Sequence, residues 1–427
     1  MYKRFLAATA VFLLMSSWSV AASSLQEMIG EAVKSHPLVE LRQAELSSYA
    51  SGVETARWQF FPTPLISMEA VDADESDRSY QGDDYVATVR LTQPLWSGGR
   101  LTAGLSKAEA REAVGYATLE ETRKEIAIRV VQQYGSWLSA SLRRQARQTS
   151  LSTHESLLER VRSRVKEGVS SSSDLALAQG RLASAKADVS VALAQERIAL
   201  SQLSQLTGRT VSKVDLDVNQ PSPRGLSSNI DMDSMKIDAL AVSPSIVRAQ
   251  AELLTADAEL KEIKADKWPE LYLRAEYQEG NLVYEGTGSE ARMYVGFNTR
   301  FGAGLSNFSR VKESRHRREA ALARVQSQRL EVTDQVASDY ALMLSFESRI
   351  LSLESSLEAA RLVSESYGYQ FLVGRKTWLD VMNAARDLVV AQVQLADTQA
   401  SRLTVLWRLF VTVRGLPQVL SDDVEGV

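Results

Sequence analysis

The chain has 427 residues, 44% of them apolar and 24% charged, which is too apolar for a disordered polymer and ample for a large core. Forty-nine basic side chains against 53 acidic ones leave a net charge of -4, so nucleic acid is not an expected partner. Zero cysteines exclude thiolate metal sites, cysteine nucleophiles, disulfides and lipidation at cysteine, and His36, His154 and His316 are too scattered for a histidine-rich centre.

Lys3 and Arg4 precede an apolar run from Phe5 to Met15, and Ser19-Val20-Ala21-Ala22 offers small residues at a signal peptidase spacing. Residues 1–22 therefore read as a secretory signal. As a helix the run would cover only about 16 Å of the roughly 30 Å of bilayer hydrocarbon, so a permanent anchor is the weaker reading. Beyond it no window of 18 apolar residues occurs, and no helix is expected to span a bilayer.

The prolines leave two proline-free stretches, 95–220 and 270–416, where very long helices can run. Apolar residues recur there at helical spacing, among them Ile126, Val130, Tyr134, Trp137, Leu138 and Leu142. A helix from about Arg100 to Lys166 would be on the order of 100 Å long.

Two halves repeat. Pro37 with Gln43-Ala44-Glu45-Leu46 returns as Pro244 with Gln250-Ala251-Glu252-Leu253, displaced by 207 residues. Tyr134, Gly168 and Asp174 return as Tyr340, Gly374 and Asp380, displaced by 206. So constant an offset argues for one duplicated unit. The first copy is placed at 23–220 and the second at 244–427, with a linker at 221–243 around Pro221, Pro223 and Gly225.

Each copy is expected to open with a helix near Pro37 or Pro244, proline being harmless in a first turn. Ser243 should cap the second of these better than His36 caps the first. Two segments of alternating character follow in each copy, which is the period of a strand: about 64–71 and 85–95, then about 270–278 and 292–301. Long helices fill about 100–207 and 304–414.

In these strands Tyr85, Val89 and Leu91 oppose Thr88, Arg90 and Thr92, and Met293, Val295, Phe297 and Phe301 oppose Tyr294, Asn298 and Arg300. That alternation fits either a soluble hairpin with one buried face or a membrane barrel with a wet lumen. The tip between Asp72 and Asp84, with Asp74, Glu75, Asp77 and Asp83 against Arg78 alone, faces solvent. Four strands cannot close, and lipid does not tolerate open edges, so the membrane reading requires several chains in one barrel. Two copies would make an eight-stranded, filled barrel, whereas three leave a lumen.

The passage Gln93-Pro94-Leu95-Trp96-Ser97-Gly98-Gly99-Arg100, together with the duplication and the export signal, resembles the TolC-like outer-membrane factors, the exit ducts of efflux pumps and type I secretion systems. The counterpart Thr299-Arg300-Phe301-Gly302-Ala303-Gly304 is looser. What the resemblance implies is a mainly α chain with a membrane β-barrel: a homotrimer whose duplicated helix-strand-strand-helix-helix units build a 12-stranded β-barrel in outer-membrane lipid and a 12-helix tunnel across the periplasm. Implied partners are a periplasmic adaptor and an inner-membrane ABC transporter or other pump. No cofactor is implied.

By the same resemblance the helix turns at Gly168, Val169, Gly374 and Arg375 dock the adaptor, and glycine there also suits a left-handed helix end. Asp174 and Asp380 match the family's entrance aspartates, which threefold symmetry would turn into cation-attracting rings. Asn383 stands where a second aspartate would often be found. Arg375 and Lys376 are placed to pair with acidic groups on adjacent helices and hold the entrance shut, through bonds individually worth about 0 to 1 kcal/mol.

Competing readings are a periplasmic coiled-coil adaptor, which would not carry paired amphipathic strands, and an enzyme using carboxylates such as Glu276 and Asp380. No nucleophile-base pair, phosphate loop or metal spacing accompanies those carboxylates, so the chain is not read as an enzyme. Within the family, the lack of a cysteine for lipidation tilts the expectation toward type I secretion of protein cargo, a large adhesin among the candidates, ahead of drug efflux.

Overall fold

The computed structural model describes residues 24–72, 79, 82–218, 223, 231–283, 288–299 and 306–421. The expected signal, the acidic tip residues Asp74, Glu75 and Asp77, the linker residues Pro221 and Gly225, and the passage from Arg300 to Gly304 lie outside the described residues.

The chain begins with α1 (Leu25–Ser35), started by a reciprocal cap in which the Ser24 hydroxyl accepts from the Glu27 amide and the Glu27 carboxylate from the Ser24 amide. Next is α2 (Pro37–Trp58). Here the expected ranking of caps is reversed. His36 Nδ1 accepts from the Leu38 amide at 3.1 Å, while Ser243 makes no side-chain cap and its hydroxyl is 3.1 Å from that of Ser245. Strands β1 (Thr63–Ala70) and β2 (Tyr85–Trp96) lead into α3 (Arg100–Lys166), 67 residues and on the order of 100 Å long, and then α4 (Ser172–Thr207).

The second copy holds α5 (Met232–Val242), α6 (Pro244–Ala265), β3 (Glu270–Glu279), β4 (Ser289–Asn298), α7 (Asn307–Leu372) and α8 (Trp378–Arg414), with α9 (Leu416–Ser421) after it. The segment expected as a linker, 221–243, thus carries a helix. It is the counterpart of α1: Met28 and Ala32 are buried in α1, and Met235 and Ala239, each 207 residues later, are buried in α5. Eleven residues following a proline cluster give too short a stretch for the helical period to stand out, and tertiary burial decides the matter.

All four strands form one antiparallel sheet in the order β1-β2-β3-β4. Its central seam, β2 against β3, joins the two copies, and β1 and β4 are the outer edges. Pro94, which cannot donate to a ladder, sits where that seam's register shifts between Pro94 and Trp96.

Long helices lying side by side have little depth, so their core is divided along their length. One cluster surrounds α1 and the middle of α3, where Tyr134 and Trp137 are fully buried with rings 5.3 Å apart. A second joins α5, α7 and α8, and a third lies near the far helix ends around Phe371 and Trp378. Between them Arg-carboxylate pairs staple the seams. Arg143 binds both Asp397 oxygens at 2.6 Å across α3 and α8, and Arg248 meets Glu121 at 2.5 Å across α6 and α3.

Candidate functional site

Two regions carry the features that could serve a duct: the sheet and the far ends of the long helices. In the sheet, register decides the faces, because residues paired across antiparallel strands point the same way. Val89 pairs with Ile66 and Tyr277, Leu91 with Ala275, and Ala275 with Met293, so one face is apolar from edge to edge. Its large side chains are in the open: Ile66 is 78% exposed, Met293 73% and Phe297 74%. An unpartnered apolar band of this kind matches hydrocarbon.

The opposite face is polar. At one level Leu65, Arg90, Glu276 and Arg292 follow one another across the four strands. Arg90 Nε donates to Glu276 at 2.7 Å, and the Glu276 carboxylate is largely covered. Ser67, Thr88, Thr92 and Gln278 complete a surface suited to water.

Where the sheet passes into helices, aromatic residues gather. Trp96 and Trp268 meet edge on with centroids 6.4 Å apart, Trp58 and Phe61 lie 5.2 Å apart, and the Lys267 amine sits 4.6 Å from the centre of the Phe308 ring. Most of these rings are exposed, as at a membrane-water boundary. Gly98 turns the strand toward α3 with φ +61°, and a β-carbon there would fall 2.4 Å from that of Trp268, so glycine is required by both backbone and space. Arg100, at the start of α3, is tied to Glu270 at 2.9 Å.

At the far ends α3 and α7 close alike. Gly168 and Gly374 have φ of 74° and 75°; the Val169 amide reaches back to the Arg164 carbonyl at 2.9 Å and the Arg375 amide to that of Gln370 at 2.8 Å. Val169 is exposed, and so are Gly374 and Arg375.

Asp174 and Asp380 occupy matching places in the first turns of α4 and α8, each closing a reciprocal cap, with Ser171 and with Thr377 respectively. Asp380 accepts from the Thr377 amide at 3.0 Å and its hydroxyl at 2.8 Å. These bonds, with the nearby Lys376 charge, hold the Asp380 carboxyl below the usual carboxylate range, so it stays charged. Asn383 is exposed one turn further on. The Lys376 amine lies 4.2 Å from the centre of the Tyr367 ring, and Arg375 points into the open. Among the described residues neither forms an ion pair, so the gate pairing expected of Arg375 and Lys376 is not made within one chain.

Sequence reasoning missed Arg164. Its guanidinium donates to the carbonyls of Phe371 and Leu372 at 3.0 and 3.4 Å and covers the Phe371 ring at 4.7 Å, clasping the two helix turns together. The repeat offers no signal for it, since Gln370 stands at the matching position.

A family profile described as "Outer membrane efflux protein" matches residues 28–209 and 237–411. The outer membrane efflux protein BepC of Brucella suis biovar 1 (strain 1330) is 21% identical over 319 residues, covering 73% of this chain and 68% of that protein. Among solved structures, VceC from Vibrio cholerae superposes with a TM-score of 0.77 at 16% identity, covering 92% of this chain and 96% of its own. The open state of the Neisseria gonorrhoeae MtrE outer membrane channel does so with a TM-score of 0.73 at 18% identity, covering 97% and 96%. At those identities the structural likeness speaks for the fold.

Proposed function

The chain belongs to the outer membrane efflux protein family, and we propose that three copies of it close one passive exit duct, working with a periplasmic adaptor and an inner-membrane pump. It is a transport protein of the outer membrane, extending into the periplasm, and not an enzyme. The observation that carries the three-chain reading is the sheet itself, with four strands, two open edges, one apolar face and one charged face. Open edges cannot face lipid, and three sheets of four strands are the smallest set that surrounds a lumen rather than a packed core.

At the other end of the duct, the exposed turns at Gly168, Val169, Gly374 and Arg375 are the docking surface for the adaptor. Asp174, Asp380 and Asn383 face the entrance, where the capped and charged Asp380 supports a negative ring. Arg375 and Lys376 form no ion pair among the described residues, and they pair between chains to hold the entrance shut.

For cargo, small-molecule efflux takes precedence, as the name of the related Brucella protein supports. The type I secretion reading rested on the missing cysteine, which concerns how a duct is anchored and not what passes through it. Deleting the gene tests the choice: raised susceptibility to toxic small molecules with an unchanged secreted proteome is the expected result. Loss of one large secreted protein with unchanged susceptibility would reverse it. Migration of the detergent-extracted protein as a monomer without heating would refute the three-chain duct.

A further inference from the structure

The polar face of the sheet holds an arginine that no carboxylate among the described residues neutralises. Arg274 on β3 lies one row nearer the helices than the Arg90–Glu276 pair, between Thr92 on β2 and Tyr294 on β4. The carboxylates around it are engaged elsewhere: Glu276 by Arg90, Glu270 by Arg100, and Glu290 by Arg292. Glu69, the remaining carboxylate of this face, is three rows away, about 20 Å along the strands. Among the described residues Arg274 makes no ion pair, and its Nε is buried without a hydrogen-bond partner.

What Arg274 does touch is an aromatic floor. Its guanidinium carbon lies 5.0 Å from the centre of the Tyr272 ring. That ring reclines across β4 because Gly296 leaves it room; a β-carbon at Gly296 would fall 2.6 Å from the Tyr272 hydroxyl. A guanidinium over a ring is partly stripped of water on one side, which strengthens its attraction for an anion.

We propose that Arg274, seated on Tyr272, is an anion-binding, specificity-determining group of the sheet-lined passage, and that it engages anionic cargo on its way out. This rests on the three-chain duct proposed above, which repeats the group three times around the lumen and makes it a cationic belt. Guanidinium matches carboxylate and sulfonate oxygens in pairs, and a narrow passage with low-dielectric walls strengthens the attraction. The belt is opposite in sign to Asp174 and Asp380 at the entrance, so charge alternates along the duct.

The test uses the purified trimer in planar bilayers, with the aromatic trisulfonate 8-hydroxypyrene-1,3,6-trisulfonate as probe. The helical half cannot cross lipid, so orientation is known, and the probe is added on either side. Wild-type current should be blocked at lower concentration from the sheet side than from the helical side. In Arg274→Gln the sheet-side block should weaken about tenfold and the reversal potential in a potassium chloride gradient should move toward cation preference. Arg274→Lys should restore the reversal potential but only part of the block, because an ammonium lacks the paired, stacked geometry. Unchanged block and reversal potential in Arg274→Gln overturn the proposal. Should that variant fail to assemble, equal or absent block from the two sides of the wild-type channel overturns it. Migration of the unheated, detergent-extracted protein as a monomer refutes the three-chain duct beneath it instead.

Discussion

Arg164, near the end of the first long helix, donates to the main-chain carbonyl of Phe371 in the other repeat at 3.0 Å and lies over that residue's ring at 4.7 Å. One side chain thereby adds a charged donor to a helix-end carbonyl that already accepts from the Gly374 amide at 3.1 Å, places a cation at the negative end of that helix and lies over a buried aromatic ring.

Arg164→Gln should loosen both turns together. The expected cost is about 1.5 kcal/mol, the low end for a charged hydrogen bond, because the site is partly open to solvent. Hydrogen exchange should quicken in 160–172 and 368–378 while the sheet stays unchanged. Quickening confined to the Arg164 side would mean that the clasp does not couple the two repeats.

Asp380 sets the pH response of the second turn. Its carboxyl is held below the ordinary value by Thr377 and Lys376, so its contribution to the cap is complete above the unfolded carboxylate range and is lost only as pH falls through the lowered native value. Between pH 7 and pH 5 exchange at residues 378–383, corrected for intrinsic rate, should therefore stay constant. Asp380→Asn should raise that exchange at both pH values and reduce cation preference of the channel.

The two faces of the sheet should answer oppositely to the same substitution. Val295→Arg places a cation on the apolar face and should cost about 2 to 4 kcal/mol if it lies near the bilayer midplane, preventing recovery of heat-modifiable trimers. Thr88→Arg, on the polar face, should assemble and alter conductance instead. Equal assembly of both would reverse the assignment of faces.

Asp339 is fully buried in α7, where Arg408 of α8 donates to both of its oxygens, the Nε bond being 2.9 Å. Arg408→Ala leaves that carboxylate alone in the second core cluster and should cost about 3 to 5 kcal/mol. Replacing both residues by leucine should recover most of the thermal stability, since the penalty comes from the stranded charge. A double variant as unstable as the single one would point to packing.

The repeat offset, the long helices and the alternating strands were legible in the sequence because each is a local pattern. A period of 3.6 or 2 is written in neighbouring side chains, and proline and glycine mark its ends. Gly168 and Gly374 stood out for this reason, as did the apolar character of Val89 and Met293. The helix Met232–Val242 did not, because eleven residues are too few for periodicity to outweigh the prolines before them. The cap from His36 was hidden because it depends on which ring nitrogen faces the Leu38 amide.

Contacts between distant parts of the chain belong to a different level. That β2 pairs with β3, bringing Arg90 to Glu276 across 186 positions, is settled by the seam between the copies, and nothing within either strand encodes it. Among the described residues Arg274 is left uncompensated because the carboxylates near it are drawn to other cations. Composition and spacing dictate elements one by one; the balance of charge and the closing of edges arise when those elements meet, since burial and pairing are properties of neighbours in space.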